Sequence, residues 1–237
     1  MPECYDLVGD VHGCYEELLT LLAQVGYLVG DDLAVSHPQG RTLVFLGDLC
    51  DRGPLNLEVF RFVYSNWKAG RLLWVMGNHD HKLARWMRGH EVQTSHGLDL
   101  TVTQFQAAYT QEQLKEMGED LLDNLPFVLE LDAGALVVAH AYPKMEFATM
   151  PRKKATKAFY GLKDKEGVRL AWWESYQGPA YAVFGHYWLD DPTPQEHYCC
   201  VDTSCCRGGE LTLLQWPEKT LQSTPALATY DDTKYDK

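Results

Sequence analysis

The chain opens with three short apolar runs, each closed by a glycine and separated by amphipathic stretches. Asp6-Leu7-Val8 stops at Gly9, Thr42-Leu43-Val44-Phe45-Leu46 at Gly47, and Leu72-Leu73-Trp74-Val75-Met76 at Gly77. Runs this short, aliphatic and bounded by turn residues predict buried strands. Between them the period changes. Leu18, Leu19, Leu21, Leu22 and Val25, and later Leu57, Phe60, Val63, Tyr64 and Trp67, recur at helical spacing. Strand, loop and helix in alternation predict a largely parallel half-sheet.

Around residues 81–126 the texture differs. Polar helical segments at 82–88, 101–109 and 111–117, joined around Ser95-His96-Gly97, predict a helical insertion near the strand ends, with a plain packing subdomain as the equal alternative. After Pro126 the pattern turns to short strands at 127–131, 135–139, 181–184, 198–201 and 211–216, with a basic irregular stretch at 152–165 between them. Beyond Pro217, Ser, Thr and Asp dominate and periodicity is lost. The expectation is one domain over 1–216 and a mobile tail over 217–237.

Composition narrows the class. With 237 residues, 46% of them apolar, one substantial core is the economical arrangement. No apolar run approaches the ~20 residues of a membrane span, and the segment from Met1 lacks the layout of a signal peptide. Seven cysteines in no spaced framework fit a reducing cytoplasm. A formal net charge of −12 argues against strong non-specific binding to nucleic acid, yet leaves a small phosphorylated substrate or a phosphorylated terminus open.

The candidate chemistry sits at the strand ends. Asp10 and His12 lie two apart at a strand exit, so in extended backbone they share a side and can share a cation. Asp48 repeats the Gly-Asp arrangement; a carboxylate can bridge two cations about 3.5–4 Å apart. Asp51 and Arg52 follow, and the guanidinium fork suits phosphate oxygens. Asn78 offers an amide oxygen, or a helix cap. Its neighbour His79 can donate a proton to a departing alkoxide, with Asp51 or Asp80 orienting the ring. His140 and His186 each end an apolar run, and neutral imidazoles are good ligands for manganese, iron or zinc. Shared carboxylates with mixed oxygen and nitrogen donors are what two divalent cations need to hydrolyse a phosphate ester.

The blocks Gly-Asp-Val-His-Gly, Gly-Asp-Leu-Cys-Asp-Arg-Gly and Gly-Asn-His-Asp, then Val-Val-Ala-His and Phe-Gly-His, resemble the calcineurin-like metallophosphoesterases over residues 5–216. Within that family the likeness is to the phosphoprotein phosphatase group. Thr94-Ser95-His96-Gly97-Leu98 and Val201-Asp202-Thr203-Ser204-Cys205 resemble bacterial members, including the phosphatase module of polynucleotide kinase-phosphatase. The fold this implies is an α/β (α+β) two-sheet β-sandwich flanked by helices, with a dimetal site at the strand-end edge.

The resemblance also implies roles. Asp10, His12 and Asp48 would hold one metal; Asp48, Asn78, His140 and His186 would hold the other. Manganese is the expected ion, with iron, zinc, nickel and cobalt as alternatives. His79 would be the general acid, Asp51 its partner, and Arg52 a phosphate clamp, with Asn78 also meeting the substrate phosphate. A second phosphate-binding arginine is expected at Arg169, with Arg152 as the alternative. Asp202 matches an acidic site position or closes a turn. The chain departs from the group at Ala141-Tyr142-Pro143 after His140, at Tyr187-Trp188 after His186, and at Ser204. These departures bear on pocket shape and substrate.

The implied activity is metal-dependent hydrolysis of phosphate monoesters by a metal-bridging hydroxide. The alternatives are hydrolysis of dinucleoside polyphosphates, a 2′,3′-phosphatase acting on nucleic-acid ends, and a binding scaffold that keeps the fold without catalysis. Cys199-Cys200 and Cys205-Cys206 lack the spacer of a zinc knuckle, so small buried side chains are expected there.

Overall fold

The computed structural model describes residues 3–189 and 192–233. Two sheets face each other. The first runs in the order β11-β10-β1-β4-β5, from β1 (Tyr5–Val8), β4 (Thr42–Phe45), β5 (Leu72–Trp74), β10 (Glu210–Trp216) and β11 (Thr220–Pro225). The second runs β6-β7-β8-β9, from β6 (Val128–Leu131), β7 (Leu136–Ala139), β8 (Tyr181–Phe184) and β9 (Tyr198–Cys200). A short hairpin, β2 (Leu28–Val29) with β3 (Val35–Ser36), lies apart from both.

Alternation along the strands assigns the faces. Leu7, Val44, Leu136, Val138, Val183, Cys199, Val201 and Leu214 form one buried cluster, drawn from both sheets. Their neighbours Val8, Leu43, Phe45, Trp74 and Leu213 turn the other way. There they meet α1 (Tyr15–Gln24), α2 (Asn56–Lys68), α3 (Asn78–Met87), α4 (Leu98–Ala108) and α5 (Gln111–Asn124). The sandwich flanked by helices is the expected architecture. In the first half-sheet β1 pairs with β4, and β4 with β5, in parallel; across the sandwich, β7, β8 and β9 are mutually parallel. Six strands therefore deliver their C-terminal ends to loops, which is where an α/β scaffold converges side chains.

The segment around 81–126 is helical. Its central helix α5 packs on α3, with Gly118 seated against the Ala84 carbonyl and the Met87 side chain. The segment beyond Pro217 corrects the expectation of a mobile tail. Thr220–Pro225 forms β11, paired along its length with β10, and Tyr230 and Asp231 donate backbone hydrogen bonds to the Cys206 carbonyl at 2.9 Å. The reason is its edge position: β11 is polar and half exposed, so ladder hydrogen bonds hold it without an apolar stripe to announce it. Residues 234–237 lie outside the described part of the chain.

Candidate active site

Asp10 follows β1, Asp48 follows β4, Asn78 and His79 open α3 after β5, His140 follows β7, His186 follows β8 and Asp202 follows β9. The backbone is bent hard to bring them together. His12, Asp48, Asp51, Arg52 and His186 all adopt positive φ, between 45° and 74°. This region is costly for residues with a Cβ, and its clustering here marks a geometry that the surrounding structure imposes. Gly185 completes the packing: a Cβ there would strike the carboxylate of Asp10.

Asp48 occupies the centre. Its Oδ1 accepts a hydrogen bond from the His79 backbone N–H at 2.8 Å. Its Oδ2 lies 3.7 Å from His12 Nε2 and 3.4 Å from His140 Nε2. On one side, His12 Nε2 lies 4.0 Å from Asp10 Oδ2. On the other, His140 Nε2 is 3.1 Å from Asn78 Oδ1 and 3.2 Å from His186 Nδ1. All six residues expected as metal ligands are thus brought together, with Asp48 between the two histidine groups.

The donor set fits divalent cations on its own chemistry. Nδ1 of His12 lies 2.8 Å from the Cys50 carbonyl, and Nδ1 of His140 lies 2.9 Å from the Leu46 carbonyl. An Nδ1–H donated to a carbonyl leaves the Nε2 lone pair facing the carboxylates, the orientation a metal-ligating histidine takes. Burial, then the charge of Arg52, holds His12 well below its usual range. Burial, then the neighbouring carboxylate of Asp202, pushes Asp10 up. For His140, burial opposes the charged form, but Asp48 and Asp10 outweigh it and raise the ring to about 10. Buried carboxylates and imidazoles crowded in this way want positive charge among them.

His79 and Arg52 stand beside these donors. His79 Nδ1 is 2.6 Å from Asp51 Oδ2, and the other oxygen of Asp51 accepts a hydrogen bond from Thr101 Oγ1 at 2.6 Å. Asp51 therefore orients the ring. Asp80 does other work: it accepts from the backbone N–H groups of Asp48, Leu49 and Gly77 at 2.9 to 3.1 Å and from the Trp74 indole, tying two strand ends together. That bond to Gly77 also caps α3, so Asn78 is not needed as the cap. Arg52 donates to Nε2 of His12 at 2.7 Å and to Nε2 of His79 at 3.1 Å.

Asp10, His12, Asp48, Arg52, Asn78 and His186 line a cavity of about 550 Å³ with Asp202, Arg169 and Arg207. Arg169 is the better placed of the two candidate clamps. Arg152 instead lies over the Phe127 ring and donates to the Leu125 carbonyl. Asp202 lines the cavity, and its Oδ1 accepts from the Ser204 N–H at 3.0 Å in a local turn. Sequence reasoning missed Thr101, Asp231, Lys163 and Arg207. Thr101 had a weak signal in Ser95-His96-Gly97, because a Cβ on Gly97 would collide with the backbone nitrogen of Arg52 and fixes where α4 begins. Asp231 had none. The seven cysteines are free, and Cys199, Cys200, Cys205 and Cys206 are buried.

A family profile for calcineurin-like phosphoesterases matches residues 6–208. The chain belongs to this family. Its relatives include the asymmetrical bis(5′-nucleosyl)-tetraphosphatase PrpE of Anoxybacillus flavithermus, 36% identical over 98% of both chains. The protein of the same name from Bacillus subtilis is 34% identical, again over 98% of both chains. Among solved structures, that of a proposed diadenosine tetraphosphatase is 23% identical, with a TM-score of 0.67 over 95% of both chains. A serine/threonine phosphatase from Saccharomyces cerevisiae is 13% identical with a TM-score of 0.60, over 96% of this chain and 80% of that one. The last two establish a shared fold. The full-length relatives carry the tetraphosphatase name, and the narrower likeness to the polynucleotide kinase-phosphatase module gives way to them. As a calcineurin-like phosphoesterase, the chain is a metal-dependent hydrolase of phosphoric esters. No helix among the described residues is long and apolar enough to cross a membrane.

Proposed function

We propose that this phosphoesterase hydrolyses bis(5′-nucleosyl) tetraphosphates asymmetrically, releasing a nucleoside triphosphate and a nucleoside monophosphate. The observation that carries this reading is the likeness to the PrpE relatives over 98% of both chains, which spans every cavity-lining segment as well as the metal-ligand motifs. This reading takes up the alternative of a dinucleoside polyphosphate hydrolase in place of the expected phosphomonoesterase.

In this reading Asp10, His12 and Asp48 hold one cation, and Asp48, Asn78, His140 and His186 hold the second, with manganese the first choice for so mixed a donor set. Bound there, the pair supplies Lewis acidity and a nucleophile drawn from water at neutral pH. The chain's own residues do the rest. The NH1 and NH2 edge of Arg52 faces the donors and takes the oxygens of the reacting phosphate. Arg169, which lines the same cavity, meets the next phosphate. His79, its ring fixed through Nδ1 by Asp51, is placed to carry a proton on Nε2 to the departing oxygen once Arg52, which donates to that nitrogen here, has turned to the phosphate. Asp202 faces the same space and adds a further acidic group at the cation end. A scaffold without catalysis has no use for the His79–Asp51–Thr101 chain, which positions a ring and caps nothing.

The deciding experiment is a substrate panel with manganese, comparing diadenosine tetraphosphate, p-nitrophenyl phosphate, phosphopeptides and RNA with 2′,3′-phosphate ends. The expected result is the highest kcat/KM on diadenosine tetraphosphate, with ATP and AMP in equal amounts. ADP as the sole product, or a preference for phosphopeptide or RNA ends, would overturn the reading.

A further inference from the structure

Beyond the metal-ligand residues, the cavity is lined by Lys163, Arg169 and Trp188 among others, a composition that a simple phosphomonoester would not use. Residues 162–170 form a small antiparallel hairpin. Leu170 N–H donates to the Leu162 carbonyl at 3.0 Å, Asp164 N–H donates to the Val168 carbonyl at 2.9 Å, and Lys163 bridges Arg169. Residues bridged across an antiparallel pair project to the same side. Lys163 and Arg169 accordingly both line the cavity, giving one face of the hairpin two cations.

The hairpin is anchored by one of the departures seen in the sequence. After His186 comes Tyr187, which is buried and accepts a hydrogen bond at its hydroxyl from the Leu162 N–H at 3.0 Å. Gly161, at φ 73°, passes so close to that hydroxyl that a Cβ could not be placed there. Arg169 lies over the same ring, 5.9 Å from its centroid. Tyr187 thus fixes the hairpin relative to the metal end. Trp188, the next residue, is different. It is 47% exposed and lines the cavity.

A half-exposed indole that lines the same cavity as Lys163, Arg169 and the metal-ligand residues matches a ligand that is planar and apolar at one end and polyanionic along its length. We infer that Trp188 and Lys163 form a nucleoside 5′-polyphosphate subsite, Trp188 stacking on the nucleobase and Lys163 pairing with a phosphate that is not cleaved. The subsite rests on the tetraphosphatase reading for its place in turnover, while its binding of a nucleotide is separable from it.

The test therefore measures binding as well as turnover, on the metal-loaded protein. Calorimetry compares adenosine 5′-(β,γ-methylene)triphosphate with inorganic tripolyphosphate for the native chain, Trp188→Ala, Trp188→Phe and Lys163→Gln. Stacking of this kind makes the nucleotide bind about tenfold tighter than tripolyphosphate. Trp188→Ala should erase that preference, Trp188→Phe should retain most of it, and Lys163→Gln should weaken both ligands alike. In turnover, Trp188→Ala should lose about tenfold more kcat/KM on diadenosine tetraphosphate than on p-nitrophenyl phosphate. Equal affinity of the native chain for nucleotide and tripolyphosphate, or equal weakening of both by Trp188→Ala, overturns the subsite. If diadenosine tetraphosphate is not turned over but the nucleotide preference depends on Trp188, the proposed function fails and the subsite stands.

Discussion

Asp231 lies behind Arg52: its Oδ2 is 3.6 Å from Arg52 Nε, and the same oxygen accepts a hydrogen bond from Arg207 at 2.9 Å. The NH1 and NH2 groups of Arg52 are turned the other way, to His12 and His79. The carboxylate therefore braces the guanidinium from its rear edge instead of competing for the edge proposed to meet phosphate. The brace is itself held: the backbone amides of Tyr230 and Asp231 bond the Cys206 carbonyl, and Tyr230 Oη donates to Glu17 at 2.8 Å.

Removing the brace should loosen phosphate binding without touching the metal ligands. For Asp231→Asn we expect KM to rise about fivefold, the size of a partly buried pair worth about 1 kcal/mol, with kcat little changed. Steady-state kinetics on diadenosine tetraphosphate decide it. A fall in KM would mean that Asp231 competes with the substrate for Arg52.

That contact also shows where the sequence stops being legible. The candidate ligands that the fold brings together could be picked out because each is local: an apolar run ends at glycine, and the next polar residue sits at a strand tip, as with Gly9-Asp10 and Gly47-Asp48. The two sheets could be read because their strands are buried and aliphatic. Asp231 reaches Arg52 only after β11 has folded back along β10, and that strand is an exposed polar edge without a periodic signal. Thr101 on Asp51 and the Tyr187 anchor of the 162–170 hairpin are likewise long-range contacts, spanning 50 and 25 residues. The choice between Asp51 and Asp80 as partner of His79 needed coordinates, since the adjacent Asp80 turns to backbone amides and Asp51, 28 residues away, meets the ring.

The central place of Asp48 predicts a hierarchy among the ligands. Asp48→Asn should empty both cation positions and lower kcat/KM on the order of 10³-fold or more, since several kcal/mol of charge stabilisation are lost. Asn78→Ala should spare the position between Asp10 and His12 and cost less. Metal content by mass spectrometry, measured beside the rates, checks this. Chelation of the native chain should abolish turnover, and manganese should restore it. An Asp48→Asn protein that keeps two metals and near-native rate would refute the shared position.

His79 should matter in proportion to the leaving group's need for a proton. On an alkyl phosphate such as phosphoserine, His79→Ala should cost roughly 10²–10⁴-fold. On p-nitrophenyl phosphate, whose phenolate departs unaided, the loss should be modest, and on diadenosine tetraphosphate, whose leaving group is itself a phosphate, closer to the modest end. Asp51→Asn should follow the same order. Equal losses on all three substrates would assign His79 to positioning alone.

Away from the site, Arg41 closes the sandwich edge. It donates to both oxygens of the fully buried Asp6 at 2.9 to 3.0 Å and to the carbonyls of Tyr5 and Trp216 at 3.0 and 3.1 Å. Arg41→Gln leaves the Asp6 charge with Tyr27 as its remaining side-chain partner, which should cost about 3 kcal/mol. Thermal unfolding should fall by roughly 6–12 °C for a chain of this size. Adding Asp6→Asn should recover part of the loss, because the stranded charge is gone; a double variant no better than the single would show that the damage lies in the lost backbone contacts.

Substrate length gives the last test. The chain carries a net charge of −12, and the cations lining the cavity are Arg52, Lys163, Arg169 and Arg207. They converge on one small volume instead of tracking along a surface, so a polynucleotide passing the cavity mouth would meet few further phosphate contacts. Binding that neutralises few phosphates releases few counterions, and affinity then depends weakly on salt. For a mononucleotide, a phosphopeptide and a long RNA bearing the same terminal phosphate, log kcat/KM against log salt should give shallow slopes of about 2 or less, similar for all three. A steep slope together with a large preference for the RNA would reveal a basic track outside the cavity and would shift the assignment from a small-nucleotide hydrolase to an enzyme of nucleic-acid ends.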